Sequence, residues 1–246
     1  MAERMKGRSL NPHFERVTLS DVALACLMFN SLTSYNRSLD VLNAETGGRI
    51  DLAIPAHRMS LLEWLNDWGC RHLPKEQHDV ASDSIREWHE DENRRLTPVA
   101  RPLWQLKDHD LAQAAAAYGS LKDRVGARRS RRGKRQAVHI GATAASKILF
   151  VLRLESLPPW DEDMRREFGC DGSAESYEKF LGIVRDLANR IAALCQKNGF
   201  PIESLPQELG RSDSTVVALL NEYIWVTVSA ECKLPPQETL ARWAAW

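Results

Sequence analysis

Apolar residues recur at intervals of three and four along most of this chain, a spacing that suits helices and little else. The longest such run lies between Ala174 and Lys197. There Phe180, Ile183, Val184, Leu187, Ile191 and Leu194 share one helical face, and Gly199 and Pro201 close the segment. Alternation of apolar and polar residues with a period of two is hard to find. The sequence therefore predicts an all-α fold, a single helical body over residues 1–246 with room for two helical lobes and no internal repeat or linker.

Shorter helices are expected from Asp21 to Leu32 with Ser20 as cap, from Ser60 to Trp68 ended by Gly69, and from Ser82 to Arg95 ahead of Pro98. Asp108 is placed to cap the stretch Leu111 to Tyr118, with Gly119 as its stop. Thr143 to Leu152 has helical spacing, and another helix starts near Asp161 after the turn Leu157, Pro158, Pro159, Trp160. Ser212 is the expected cap of a helix through Val216, Leu219, Leu220 and Tyr223. The β-branched cluster from Ile224 to Val228 argues against a regular far end. Residues Pro236 to Trp246 form the last helix.

The chain carries 33 Lys+Arg against 33 Asp+Glu, which excludes a uniformly basic coat protein. No apolar run approaches the roughly 18 residues needed to cross a bilayer, and the polar start lacks the core of a signal peptide, so a cytoplasmic location is expected. Cys26, Cys70, Cys170, Cys195 and Cys232 are odd in number and far apart, and no two histidines stand four residues apart. No disulfide framework, metal site or cofactor is therefore expected.

The balanced total hides two opposed segments. From Glu76 to Glu92 seven acids stand against Arg86 alone. From Arg124 to Arg135 the chain carries Arg124, Arg128, Arg129, Arg131, Arg132, Lys134 and Arg135 with no acid. Read as a basic loop, this second run repels itself, and a polyanion relieves that repulsion most directly; a solvated loop is the other reading. Directly after it come Val138, His139, Ile140, Gly141, Ala142, Thr143, Ala144, Ala145, Ser146 and Lys147. A tight turn at Gly141 opening a helix points free backbone N–H groups and the positive end of the helix dipole at one place, which suits a phosphate.

Ile140-Gly141, then Ala145, then a helix, then Pro159-Trp160-Asp161 twenty residues after the turn resemble the helix-hairpin-helix DNA glycosylase superfamily. The resemblance spans Val138 to about Phe168. It implies a helical glycosylase fold with a helix-hairpin-helix element, double-stranded DNA carrying a modified base as partner, and Asp161 as catalytic residue. It also implies backbone contacts from Arg128, Arg129, Arg131, Arg132, Lys134, Arg135, His139, Gly141, Thr143 and Lys147. The sequence departs from the family pattern in three places. His139 replaces the first hairpin glycine; Thr143 stands where bifunctional members place a lysine; and the C-terminal iron–sulfur cysteines are missing. These departures imply a monofunctional enzyme that uses water and leaves an abasic site. Substrates implied by the resemblance are a hypermodified phage cytosine, such as glucosylated hydroxymethylcytosine, or oxidised guanine, in phage defence or in DNA repair.

The chemistry also argues for Asp161 directly. Breaking an N-glycosidic bond builds positive charge on the sugar, which a nearby carboxylate stabilises while orienting or deprotonating a water. The stiff turn Pro158-Pro159-Trp160 fixes the direction of this acid, and Trp160 beside it is a candidate wall of a base pocket. Asp163 is the competing carboxylate. An Asp after a Pro-rich turn also serves as a helix N-cap. A DNA-binding protein without catalysis, gripping phosphates through the same turn, is therefore the rival reading. A small-molecule enzyme is disfavoured, because neither a Walker loop nor G-x-G-x-x-G is present and Gly47-Gly48 is too little for a nucleotide.

Overall fold

A Thr-x-x-Asp sequence can close a helix start on itself, and the first helix does so. In the computed structural model, which describes residues 14–92, 96, 98, 100–131 and 134–244 (130, 131, 134, 135, 243 and 244 by backbone alone), α1 runs Leu19–Leu32. Its cap is Thr18 rather than Ser20. Thr18 Oγ1 accepts from the Asp21 N–H at 3.2 Å, and Asp21 Oδ2 accepts from the Thr18 N–H at 2.8 Å. Next come α2 (Tyr35–Glu45), α3 (Pro55–Asp67) and α4 (His78–Glu92). α2 was not expected, since only Leu42 of its eleven residues is buried. α3 starts five residues ahead of Ser60 because Pro55 fits the first helical position, where its missing N–H costs nothing. The expected end of α4 at Arg95 lies outside the described residues.

The second half of the chain surrounds one long helix. α5 (Asp108–Lys122) continues through Gly119, the expected stop, and its cap position is Lys107, whose N–H donates to Asp110 Oδ2 at 2.8 Å. Glycine is needed at 119 for closeness rather than for a turn, since a Cβ there would stand 3.1 Å from Ala174 Cβ on the neighbouring helix. That neighbour, α8 (Ala174–Lys197), has the bounds read from the sequence, with Ser173 Oγ accepting from the Ser176 N–H at its start. It packs against α5, α1 (Leu19–Leu32) and α10 (Val216–Ile224). Its buried Phe180, Leu181, Val184, Leu187 and Ile191 each stabilise the fold by about 1.5–3 kcal/mol.

Between α5 and α8 lie β1 (Val125–Arg131), β2 (Lys134–His139), α6 (Gly141–Leu152) and α7 (Glu162–Glu167); α9 (Leu205–Glu208) and α10 follow α8, and α11 (Gln237–Ala244) is the last helix. α10 is capped by Thr215, not Ser212, through a 3.1 Å bond from the Ala218 N–H. It widens into a π-helical turn at Trp225–Ser229, where the β-branched cluster sits. The mostly helical expectation holds, and the basic run corrects it. This run is a β-hairpin, not a loop, with β1 and β2 antiparallel and Arg128 opposite Ala137.

The hairpin is held from outside. Gln77 takes both backbone groups of Arg128, accepting from its N–H at 2.6 Å and donating to its carbonyl at 2.9 Å, and Ser84 donates to the Val125 carbonyl at 2.7 Å. α4 thereby brings the acidic segment against the basic one, and Arg124 pairs with Asp91 at 2.6 Å and with Glu87 at 3.8 Å. A single cluster of buried apolar side chains reaches from Phe14 to Val228. Among the described residues no helix is long and apolar enough to cross a membrane.

Candidate active site

The turn at the start of α6 takes the shape its glycine allows. Gly141 has φ +78°, and the preceding Ile140 is pinned on both sides: its N–H donates to the Arg124 carbonyl at 2.9 Å, and its carbonyl accepts from His72 Nε2 at 2.8 Å. The turn is entered from strand β2, whereas a helix-hairpin-helix element carries a helix on each side. Three contacts then fasten the Pro-Pro-Trp-Asp segment and the helix it opens, α7, onto the first two turns of α6. Trp160 Nε1 donates to the Ala142 carbonyl at 3.3 Å, the Trp160 N–H donates to Ser146 Oγ at 3.2 Å, and Arg165 Nη1 donates to Thr143 Oγ1 at 2.9 Å. Sequence positions twenty apart are thus held side by side.

Asp161 is extended, half-buried, and caps α7: its Oδ1 accepts from the Met164 N–H at 2.8 Å. Its Oδ2 takes no hydrogen bond among the described residues. The turn leading to it is tied down by Tyr177, whose hydroxyl donates to the Pro158 carbonyl at 3.2 Å. Backbone therefore sets the direction of the carboxylate, and one of its oxygens is left over for chemistry.

Asp161 lines a cavity of about 280 Å³. Its aromatic wall comes from Tyr35 on α2, Trp68 just after α3, and Trp225 at the start of the π turn. Tyr35 and Trp68 lie 5.0 Å apart at 31°, and Trp225 meets Tyr35 edge-on at 6.1 Å. Trp68 is fixed by its indole N–H, which donates to Ser38 Oγ at 2.9 Å. Rings locked in this way form a slot that needs little ordering on binding a flat group.

Lys147 also lines the cavity and is 8% exposed. Its ammonium donates to the Trp68 carbonyl and lies 5.5 Å from the centre of the Trp68 ring. Burial pushes its pKa down, against the opposing pull of Cys70 and Asp161. Burial pushes the Cys70 thiol and the Tyr35 phenol up, and the Asp161 charge adds to the Tyr35 shift. Asn221, 5% exposed, completes the polar side of the wall, with a buried Oδ1 that has no hydrogen-bond partner among the described residues.

Of the residues read from the sequence, the structure brings together Asp161, Asp163, Trp160, Thr143 and Lys147 on the cavity wall, with Gly141 two residues upstream. Trp160 contributes less ring than expected. It is 1% exposed and packs against Tyr118, Tyr177 and Phe180 as part of the core. Lys147, expected at a phosphate, is enclosed instead, so an outer DNA backbone is beyond its reach. Arg128 and Arg129 are exposed on β1, away from the cavity wall, as is His139, whose Nδ1 donates to the Asp123 carbonyl at 2.7 Å. The backbones of Arg131, Lys134 and Arg135 lie in the hairpin strands, their side chains are outside the described set, and Arg132 lies outside the described residues. Asp163, the competing acid, is on the same wall; its Oδ1 pairs with Arg166 at 2.7 Å at the exposed surface, whereas Asp161 is bonded to backbone.

Sequence reasoning singled out none of Tyr35, Trp225 and Asn221, and it reached Trp68 only as one of several aromatic candidates, with Trp64, Trp88 and Trp104, that it could not assign to a pocket. The only local hint was the β-branched cluster that disturbs α10 near Trp225. Among the described residues no three His, Cys, Asp or Glu side chains converge to hold a metal. No family model, no curated protein and no solved structure matches this chain.

Proposed function

We propose that the protein is a monofunctional DNA glycosylase, with Asp161 as the catalytic residue and the cavity beside it as the pocket for an extruded base. The observation that carries this reading is a carboxylate aimed by a backbone N–H, with its other oxygen unengaged, at an aromatic slot next to a glycine turn that opens a helix. As the C1′–N bond lengthens, positive charge grows on the sugar and Asp161 stabilises it. The same carboxylate takes a proton from the water whose oxygen adds to C1′, and the base departs with the bond's electrons. Stacking on the partly exposed rings of Tyr35 and Trp225, backed by the buried Trp68, offsets the cost of unstacking the nucleotide from DNA; such contacts contribute about 1–3 kcal/mol per base. Thr143 cannot form a Schiff base, and Arg165 occupies its hydroxyl, so water is the nucleophile that remains at that position.

Arg128 and Arg129 on the hairpin, with the free N–H groups at the start of α6, supply phosphate contacts that position DNA without reading its sequence. A cavity of about 280 Å³ lies near the roughly 300 Å³ lower end for small-molecule sites and suits one base. A glucosylated hydroxymethylcytosine would place its sugar substituent at the mouth, and oxidised guanine is the other candidate. The test is to incubate the protein with duplexes carrying each base and measure released bases by mass spectrometry. Asp161→Asn should cut release by about 10²- to 10⁴-fold and keep DNA affinity.

One observation favours the second reading, a DNA-binding protein without catalysis. The Met164 N–H bond shows Asp161 doing the work of an ordinary cap. Under that reading no duplex yields free base with the wild-type protein.

A further inference from the structure

Asp161 acts on the sugar, and that reaction leaves the departing base without a partner. Lys147 is the cation in the same cavity to which the proposed reaction has so far given no part. An ammonium has three donors, and one goes to the Trp68 carbonyl. Its other two have no acceptor among the described residues, although the side chain is 8% exposed. A cation enclosed on this scale is costly unless something in the cavity answers it. Asn221 repeats the pattern on the same wall, since its buried Oδ1 is an acceptor with no donor. The cavity thus holds unspent hydrogen bonds of both signs beside the aromatic slot, and the ligand it fits is flat and polar-edged.

Resting on the glycosylase reading, we propose that Lys147 is a second catalytic residue, which stabilises a departing 2-oxopyrimidine by donating to its O2. The assignment follows from where charge travels. When the C1′–N1 bond breaks, its electron pair passes to N1 and by conjugation to O2, the oxygen next to the glycosidic bond. A donor for O2 must therefore stand close to the group that faces C1′. Lys147 and Asp161 line one cavity and act on each other electrostatically. The Lys147 proton goes to the base and the proton of the attacking water goes to Asp161, so the step closes with free base, an abasic sugar and a proton to return from Asp161 to Lys147 through solvent. Asn221 Oδ1 is an acceptor suited to an amino group on the base, such as that at position 4 of a cytosine. The lowered pKa of Lys147 eases this proton transfer; Cys70 and Asp161 oppose the lowering, and Tyr35, Glu162 and Asp163 are the other ionisable groups of the cavity wall.

The test is single-turnover base release from duplexes carrying cytosine, 5-hydroxymethylcytosine, its glucosylated form, uracil, 5-fluorouracil or 8-oxoguanine. Wild-type protein should release a pyrimidine. Lys147→Met, which keeps the length of the stem, should lose about 10²- to 10⁴-fold in rate at unchanged DNA affinity, and Lys147→Gln, a neutral donor, should regain part of it. If 5-fluorouracil and uracil are both released, the Met variant should lose less on 5-fluorouracil, whose anion needs less help. Release of 8-oxoguanine alone, or a Met variant within threefold of wild type, would overturn the assignment while leaving the glycosylase reading in place; a borohydride-trapped protein–DNA adduct that needs Lys147 would overturn it and make the enzyme bifunctional, with the amine and not water as nucleophile. Unfolding of both variants, seen by thermal melting, would assign Lys147 a structural role and overturn it as well. No release from any duplex by wild-type protein removes the glycosylase reading, and this inference with it.

Discussion

Asp161 has two jobs in this account, and two substitutions separate them. As a cap it accepts the Met164 N–H at 2.8 Å, a task that asparagine performs about as well as aspartate. Asp161→Asn thus keeps the bond and loses only the charge at the start of α7, worth about 0.3–1 kcal/mol, in a first turn that still holds Glu162 and Asp163. For a chain of this size, 1 kcal/mol moves Tm by about 2–4 °C, so the Asn variant should melt within about 4 °C of wild type. Asp161→Ala also loses the cap, a further 0.5–2 kcal/mol or about 1–8 °C. If the unengaged Oδ2 is the group that stabilises the sugar cation, base release behaves differently. It falls in both variants alike, by about 10²- to 10⁴-fold, because neither retains a carboxylate. Thermal melting and mass-spectrometric base release on the same samples decide the matter. Activity that follows Tm, with Asn close to wild type and Ala well below it, would refute catalysis by Asp161 and leave a capping residue.

Gly141→Ala forces a Cβ into a left-handed position at φ +78°, where the nearest atom, His72 Nε2, stands 3.7 Å away; the cost is backbone strain rather than a clash, about 1–2 kcal/mol by chemical denaturation, with weaker DNA binding. Arg128→Ala with Arg129→Ala should leave Tm unchanged, since both side chains are exposed, and should flatten the dependence of log affinity on log salt by about one unit per lost phosphate contact. Stability should also depend on Lys147 and pH. Its pKa is lowered on folding, so between the folded value and the unfolded value near 10.5 the unfolded chain binds more protons and stability rises with pH. The raised thiols and phenols, Cys70 and Tyr35 among them, pull the other way over this range, so the Lys147 share is read as a difference: in melting curves from pH 7 to 10.5, wild type should gain on Lys147→Met as pH rises.

The helices were legible where a cap and a stop are both local. α8 has Ser173 before it and Gly199 with Pro201 after it, so its bounds could be read from residues within one turn of its ends. α2 was not legible because it buries one side chain, leaving no apolar stripe to count. The hairpin failed for another reason. Seven cations in twelve residues hide any period of two, and what makes them strands is supplied elsewhere, by Gln77 holding the backbone of Arg128 and Ser84 holding Val125. A strand stabilised by side chains some forty to fifty residues away leaves no mark on its own sequence.

The cavity divides along the same line. Asp161 could be read because its turn is local, and Gly141 because only glycine takes its φ readily. Tyr35, Trp68 and Trp225 come from segments up to 190 residues apart, and no spacing rule joins them. Lys147 shows how a cation can mislead. Six residues past the glycine turn and next to a basic run, it reads as one more phosphate contact on an outer face. Yet Ala144 through Leu152 are all buried, so α6 has no outer face along this stretch. A lysine inside such an unbroken apolar run must either be neutralised or meet a partner in the interior. The run Ala144-Ala145-Ser146-Lys147-Ile148-Leu149-Phe150 held that information, because a charge embedded there is more specific to a cavity than any of the arginines upstream.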